Sequence, residues 1–526
     1  MRTDNGVYNE NDVDVSVVRL FTARMALGEF DAEDRVPWVA AARARLDPGT
    51  WVNSEANHAV TQTPERLRMA RAVADESIVL LQNRGNLLPL RRGAKVAIVG
   101  SYADPVDMYL GGYSSDQTRS GTANAVNGRQ GLPGAAYVPG AAPGEVNAVE
   151  PAALRALAGY DAVIVYAGTD RDTASEDNDR ETLALPAGQA DLIRQVARIN
   201  PRTVVYLETV GQVDVTPFAG QVGAILWSSY NGQRKGEALA DVITGEVTPS
   251  GRLPFTWYAD ENELPPIESY AIRGTPGRTY QYFTGHIAYP FGFGLSYSTF
   301  RYDGVRLEQS PTTLTVTVTV TATVTNTGSP AAAEVAQLYA TTPDAPAAAE
   351  RPRKRLVAFR KVSLAPGQSA RLTLPVAVAD LAFFDGTAFR VDPGRYGLQL
   401  SASSADVKHQ LYASVSAPPP ATPAVVTAKP VTPDDPARGI TQRLQFPVGR
   451  RIEPHLTVAL TDQTLLRSGF SVRYESNRPS VVTHDLRVRA PGVATITATV
   501  TYGGASARGT FVVRATRSSV PGDVPG

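Results

Sequence analysis

Residues Ala162–Gly168 read AVIVYAG, an uncharged run rich in β-branched and aromatic side chains. Three runs of the same kind lie at Lys95–Gly100 (KVAIVG), Thr203–Leu207 (TVVYL) and Val222–Ser228 (VGAILWS). Each is too short for a helix and lacks the polar alternation of a half-solvated strand. Continuous apolar runs of this length suit parallel strands covered on both faces. The segments between them carry helical spacing. One has Pro186 near its start, then Leu192, Ile193, Val196 and Ile199, and stops at Asn200-Pro201; another has Ala238, Leu239, Val242 and Ile243, and stops at Gly245. A further helix is expected from about Pro64 to Gln82, ahead of the first strand. Strands alternating with helices give an α/β doubly wound parallel sheet, an α/β sandwich over residues 64–302.

The chain on either side is organised differently. Residues 1–63 read as a helical segment and linker, in which Asn11-Asp12 precede a stripe of Val13, Val17, Leu20, Phe21 and Met25, and Gly28 ends the helix. Nothing in the segment covers that stripe, so a neighbour is expected on it. Over residues 303–416 the period changes to two: Thr313–Thr325 (TLTVTVTVTATVT) alternates Thr with mostly Val. Short strands follow at Ala336–Tyr339, Leu356–Phe359, Ala370–Leu374 and Arg395–Ser401, with turns at Pro366-Gly367 and Pro393-Gly394. This is the spacing of an immunoglobulin-like or fibronectin type III-like sandwich. Residues 417–439 form a Pro-rich linker, 440–515 a second all-β sandwich with Ala494–Tyr502 as its clearest strand, and 516–526 a tail.

Composition narrows the partners. The 526 residues hold 51 basic and 51 acidic side chains, so no electrostatic case exists for nucleic acid or an anionic membrane surface. There is no Cys, which excludes thiolate catalysis and disulfides. No apolar run approaches the roughly 18 residues that span a bilayer. Met1–Asp14 is polar and acidic and does not look like a signal peptide. His58, His286, His409, His455 and His484 share no ligand spacing, so neither a metal nor another cofactor is expected.

Chemistry concentrates in Ala167–Pro186 (AGTDRDTASEDNDRETLALP), which leaves the C-terminal end of a predicted parallel strand, the edge where open α/β sheets bind ligands. Asp170, Asp172, Glu176, Asp177, Asp179 and Glu181 fall within twelve residues. Three readings compete: a solvated acidic loop whose last members cap the next helix, a calcium loop, and catalysis by one carboxyl group. Asp170, Asp172 and Glu181 fit positions 1, 3 and 12 of a calcium loop, but Ala174 and Ser175 stand where a ligand and Gly are required. Crowding of carboxylates is one route to the raised pKa that a general acid needs near neutral pH.

A family resemblance bears on the choice. Glu176-Asp177-Asn178-Asp179-Arg180 with Leu183-Ala184-Leu185-Pro186 resembles the Glu-Gly-x-Asp-Arg…Leu-x-Leu-Pro segment of glycoside hydrolase family 3, with Asp177 in place of Gly. The likeness runs on in order. It takes in Leu27-Gly28-Glu29-Phe30-Asp31, Ala74–Asn83 with Leu87–Leu90, and Val96–Gly100. Downstream it takes in Asn231-Gly232-Gln233 with Gly236–Ala240, Pro249–Pro254, Gly277–Tyr280 and Tyr289–Tyr297 (YPFGFGLSY). Asn231 replaces the usual Pro and Lys235 a usual Gly. Residues 323–400 resemble the family's fibronectin type III-like domain, and 440–515 resemble a bacterial Ig-like domain in general terms.

The resemblance implies a retaining β-glycosidase with Glu176 as general acid/base, no cofactor, and an oligosaccharide or β-glycoside as substrate. The signatures at Gly277–Tyr280 and Tyr289–Tyr297 are closer to the β-xylosidase than the β-glucosidase branch. The family's nucleophile is an Asp on a (β/α)8 barrel, of which residues 1–50 resemble the last helix and following linker. A barrel supplied by a separate domain or chain is therefore an expected partner, and the chain alone is expected to be inactive. The setting implied is extracellular or periplasmic. A non-catalytic carbohydrate-binding or adhesion protein is the alternative. Trp257 and Tyr289 are candidates for sugar stacking or for core packing, and the glycines around Gly251 and Phe291 read as turn formers.

Overall fold

The computed structural model describes residues 10–46, 57–105, 108–114, 125–140, 149–176, 178–310, 313–324, 331–345, 351–384, 389–415, 423–431, 445–449, 451–460, 465–466, 470–502 and 505–516. Most of the stretch read as a linker, the last ten residues of the tail, and Asp177 lie outside them. The chain divides into two compact units, one running Arg45–Ala417 and one uniting Met1–Ala44 with Pro418–Gly526.

The larger unit is built on a six-stranded sheet. Its strands are β1 (Val79–Asn83), β2 (Val96–Val99), β3 (Ala136–Val138), β4 (Ala162–Gly168), β5 (Thr203–Glu208) and β6 (Ala224–Ser228). The spatial order is β1-β6-β5-β4-β2-β3, with every pair parallel except β1 with β6. Alternation explains why β4 and β5 are apolar throughout. Val163, Val165, Ala167, Val205 and Leu207 enter one core, packed by Leu192, Ile193 and Val196 of the helix Gln189–Ile199. Ala162, Ile164, Tyr166, Val204 and Tyr206 enter the other, under Leu239, Val242 and Ile243 of the helix Lys235–Thr244. Each fully buried aliphatic side chain contributes about 1.5–3 kcal/mol.

The helix expected from about Pro64 to Gln82 is shorter. It spans Pro64–Ser77, with the Thr63 side chain capping it by accepting from Arg66 N, and the chain then extends into β1. Ile78, Val79, Leu80 and Leu81 are each at most 2% exposed. A helix lying on a sheet cannot bury four consecutive side chains, whereas a strand between two cores does: Val79 and Leu81 enter one, Ile78 and Leu80 the other. On its side away from β6, β1 meets Leu295, whose N donates to Leu80 O at 2.8 Å.

Two antiparallel sheets follow in the same unit. One orders Ser369–Ala377, Thr313–Val324 and Ser298–Gln309; the other Arg355–Leu364, Ala332–Thr341, Gly394–Ser401 and Val407–Val415. Leu338, Leu374, Val376, Leu398 and Leu400 fill the space between them. The segment Tyr289–Tyr297 joins this sandwich to the α/β layers. Gly292 has φ +77°, and its carbonyl oxygen accepts from Gln337 Nε2 at 3.0 Å; a Cβ on it would sit 2.1 Å from Gln337 Oε1. Beside it Arg252 donates to Glu334 at 2.8 Å and the Tyr302 hydroxyl to the same carboxylate at 2.7 Å.

In the smaller unit the helices Glu10–Ala26 and Pro37–Arg43 leave Val13, Val17, Leu20, Met25, Leu27 and Trp38 exposed, and Gly28 turns the chain at φ +73°. Its β part comprises two sheets. One holds Pro423–Val431, Glu453–Leu460 and Leu465–Leu466; the other Gln445–Pro447, Ala505–Thr516, Gly492–Tyr502 and Ser471–Ser476. Val482, Ile496, Ala498, Val500 and Val513 form its core. The strand Pro423–Val431 falls inside the stretch read as a linker. There the β-prone Val425-Val426-Thr427 pairs antiparallel with Thr457–Ala459 in spite of the prolines.

Glu334 is 3% exposed, and burial holds its carboxyl above the usual range, with Arg252 pulling the other way. A carboxyl raised on folding adds stability at low pH that is lost as pH rises through its folded value. Replacing Arg252 by Met should therefore cost about 3–5 kcal/mol near pH 8. The loss should be smaller near pH 5, where Glu334 can be buried protonated. Urea unfolding at the two pH values measures the difference.

Candidate active site

The acidic loop leaves β4 at Gly168, and three contacts fix its exit. Gln189 clamps the Gly168 peptide, its Oε1 accepting from Gly168 N at 2.8 Å and its Nε2 donating to Gly168 O at 2.9 Å. Thr169 N donates to Glu208 O at 3.0 Å on the neighbouring strand. The Thr169 hydroxyl meets the Tyr230 hydroxyl at 2.8 Å and accepts from Val210 N at 3.0 Å. A Cβ at Gly168 would lie 2.6 Å from Glu208 O, so the backbones approach here as only Gly allows.

Beyond that exit the carboxylates separate. Asp170 Oδ1 accepts from Asp172 N, Thr173 N and the Thr173 hydroxyl at 2.9–3.1 Å, a local Asx turn, and its Oδ2 accepts from the Tyr102 hydroxyl at 3.1 Å. Asp170 is thus committed to holding the loop. Ser175 and Asn178 exchange backbone hydrogen bonds of 3.1 Å in both directions, and Asn178 Nδ2 ties the turn to Asp172 O at 2.7 Å. Glu176 sits inside that turn with its side chain exposed. Its contact is the exposed Tyr113 hydroxyl, whose pKa is raised by the hydrogen bond to the Glu176 carboxylate. The loop then descends: Arg180 Nη2 donates to Gln212 O at 2.8 Å, and Leu183 N and the Thr182 hydroxyl donate to Glu261 at 2.6 and 2.8 Å.

A buried polar centre lies under the loop. Lys235 Nζ donates to Glu208 Oε1 at 2.5 Å and the Tyr166 hydroxyl to Glu208 Oε2 at 2.5 Å; Glu208 and Lys235 are each 3% exposed. Burial first, then the Glu208 carboxylate, holds the Tyr166 phenol far above its ordinary pKa. Burial likewise raises Tyr102, with Asp170 adding to it, and Tyr230.

Residues 78–297 match the family model described as the glycosyl hydrolase family 3 C-terminal domain, and residues 334–404 the fibronectin type III-like domain. Over residues 78–297 the chain is thus similar to a family 3 C-terminal domain. It is 31% identical over 427 residues to a probable exo-1,4-beta-xylosidase of Neosartorya fischeri, covering 76% of this chain and 52% of that protein. It is 39% identical over 264 residues to a beta-glucosidase of Rhizobium radiobacter, covering 47% of this chain and 32% of that one. The crystal structure of a family 3 beta-glucosidase of Bifidobacterium adolescentis matches with a TM-score of 0.61 and 30% identity, over 76% of this chain and 63% of that one. The chain spans about half the length of the curated relatives it matches.

Within residues 78–297 the acidic loop leaves the C-terminal edge of the sheet at Gly168. Glu176, singled out by the resemblance, lies beyond the C-terminal end of β4. Asp170 is engaged inside the loop, and Asp172, Asp179 and Glu181 are exposed without meeting Glu176 in any hydrogen bond among the described residues. Trp257 is fully buried and donates to Val213 O at 2.8 Å, and Tyr289 packs edge-on against it, so both serve the core. Among the described residues no group of His, Asp and Glu is arranged to hold a metal ion. None of their helices is long and apolar enough to cross a membrane. Glu208, Tyr102, Gln189 and Glu261 escaped the sequence reading. A charged residue directly after the apolar run Thr203–Leu207 was the available signal for the first.

Gln189→Leu should leave the Gly168 N–H and C=O buried without partners, at about 1–3 kcal/mol for each. Amide hydrogen exchange at Gly168 and Thr169 should speed up relative to β5, and unchanged protection would show that the clamp does not hold the loop.

Proposed function

We propose that this chain supplies the general acid/base half of a retaining β-glycoside hydrolase and that Glu176 is the acid/base. The observation that carries the reading is the position of Glu176. It is exposed in a hydrogen-bonded turn beyond the ligand-binding edge of a family 3 domain, while the loop's other well-placed carboxylate, Asp170, is saturated by internal bonds. A protonated Glu176 would give its proton to the departing glycosidic oxygen. As a carboxylate it would then take a proton from the water that cleaves the glycosyl-enzyme. Such chemistry needs a second carboxyl group about 5–5.5 Å away as nucleophile. We assign that group to an Asp on a (β/α)8 barrel, as a neighbouring domain or a partner chain. The named relatives support an exo-acting β-xylosidase or β-glucosidase, with the xylosidase branch preferred; the setting proposed with it is extracellular or periplasmic.

Two experiments test this. The purified 526-residue chain should hydrolyse neither aryl β-xylosides nor aryl β-glucosides. Activity should appear on addition of the barrel, and turnover by the chain alone overturns the division of labour. In the barrel-complemented protein, Glu176→Ala should lower kcat/KM on unactivated disaccharides by about 10²–10⁴. Nitrophenyl glycosides, whose leaving group needs little protonation, should lose far less. Equal losses on both substrates would rule out proton donation by Glu176.

A further inference from the structure

A cavity of about 500 Å³ opens between the acidic loop's descending limb and the segment that joins the two layers of the larger unit. Arg180, Phe255, Thr256, Tyr280, Gln281 and Phe291 are among the residues that line it, and Glu176 is not. Its size is within the range of small-molecule sites, and it has their composition: an aromatic wall with a few polar groups. Tyr280 stacks on Phe291 with ring centroids 4.2 Å apart, which makes that wall rigid. The Tyr280 hydroxyl accepts from Leu356 N at 3.0 Å, so the strand Arg355–Leu364 of the same unit braces it.

Two polar groups on the lining have unmet hydrogen-bonding capacity. Arg180 Nη1 is buried and has no partner, while Nη2 is fixed on Gln212 O at 2.8 Å. Thr256 is 5% exposed and its hydroxyl has no partner either. Among the residues on the lining Arg180 alone is charged, and it forms no ion pair among the described residues. Burial holds its guanidinium below the ordinary range, the direction of a cation that no carboxylate compensates. Leaving a donor of a charged group buried and unmet costs several kcal/mol, and a carboxylate is the anion whose geometry a guanidinium fits.

We propose that this cavity binds a small molecule bearing one carboxylate on a ring with an apolar face, the carboxylate on Arg180 and Thr256 and the ring against the aromatic wall. A uronic acid and a hydroxylated aromatic acid share that chemistry. The site is separate from the Glu176 turn and stands whether or not Glu176 is the acid/base.

Calorimetric titration of the full chain with glucuronate and with 4-hydroxybenzoate tests the assignment, with glucose and methyl 4-hydroxybenzoate as the uncharged counterparts. At least one acid should bind saturably with Kd below about 10 mM, and its neutral counterpart at least about tenfold more weakly. Which acid binds identifies the source of the ring. Arg180→Gln should abolish the preference for the acid. Gln281→Trp, which fills the cavity from a half-buried position and leaves Arg180 intact, should abolish binding altogether, with circular dichroism confirming both folds. Equal affinity for acid and neutral form overturns the proposal. So does an acid preference that survives in folded Arg180→Gln, binding unchanged in Gln281→Trp, or no saturable binding of either acid.

Discussion

Two opposite charges buried together at the C-terminal edge of the sheet organise everything above them. Glu208 closes β5 and Lys235 opens the helix Lys235–Thr244 that covers one face of the sheet, and the bond between them leaves both almost without solvent. In so dry a place an unpaired charge would cost several kcal/mol, so each residue constrains where the other's element runs. The Glu208 backbone oxygen also receives Thr169 and stands where a side chain at Gly168 would have to go. Its other carboxylate oxygen fixes the Tyr166 hydroxyl on β4. The loop bearing Glu176 therefore starts from a strand end that three neighbouring elements hold in place.

The sheet itself was legible because parallel strands between two cores leave a plain trace: every side chain is apolar, whichever face it serves. The same physics defeated the reading at β1. Ile78–Leu81 follows a well-formed helix without a Gly or Pro break, so periodicity extended the helix into it. Only burial on two faces at once distinguishes a strand there. At Pro423–Val431 composition misled in the other direction. Prolines suggested an unpaired linker, but two of them can occupy a strand when their neighbours are β-branched and a partner strand is at hand.

The candidate site was legible to a different degree. Six carboxylates in one loop read as a single crowded cluster, since sequence carries no information on where side chains turn. Among the described residues folding sends them to different tasks. Asp170 spends its lone pairs on its own loop and on Tyr102, and Glu181 and Asp179 face solvent further down. Glu176 emerged from its resemblance to a family motif, and no composition rule would have chosen it from its neighbours. Lys235 was visible only as a departure from the family segment at Asn231–Ala240. Its partner Glu208 ends β5, on another element, and long-range ion pairs of this kind become apparent only in three dimensions.

The hydrogen bond from Leu295 to Leu80 has a consequence for solubility. An open sheet presents unpaired peptide groups at its two outer strands, and such groups recruit strands from other molecules. Here β3 is only three residues long, and β1 is met on its free side by the segment that leads into the sandwich. The connection between the layers thus doubles as an edge guard. Anything that pries the sandwich away, including loss of the contacts around Gly292 and Glu334, would uncover β1. It would turn a folded chain into a template for intermolecular strand addition before the sheet itself had melted.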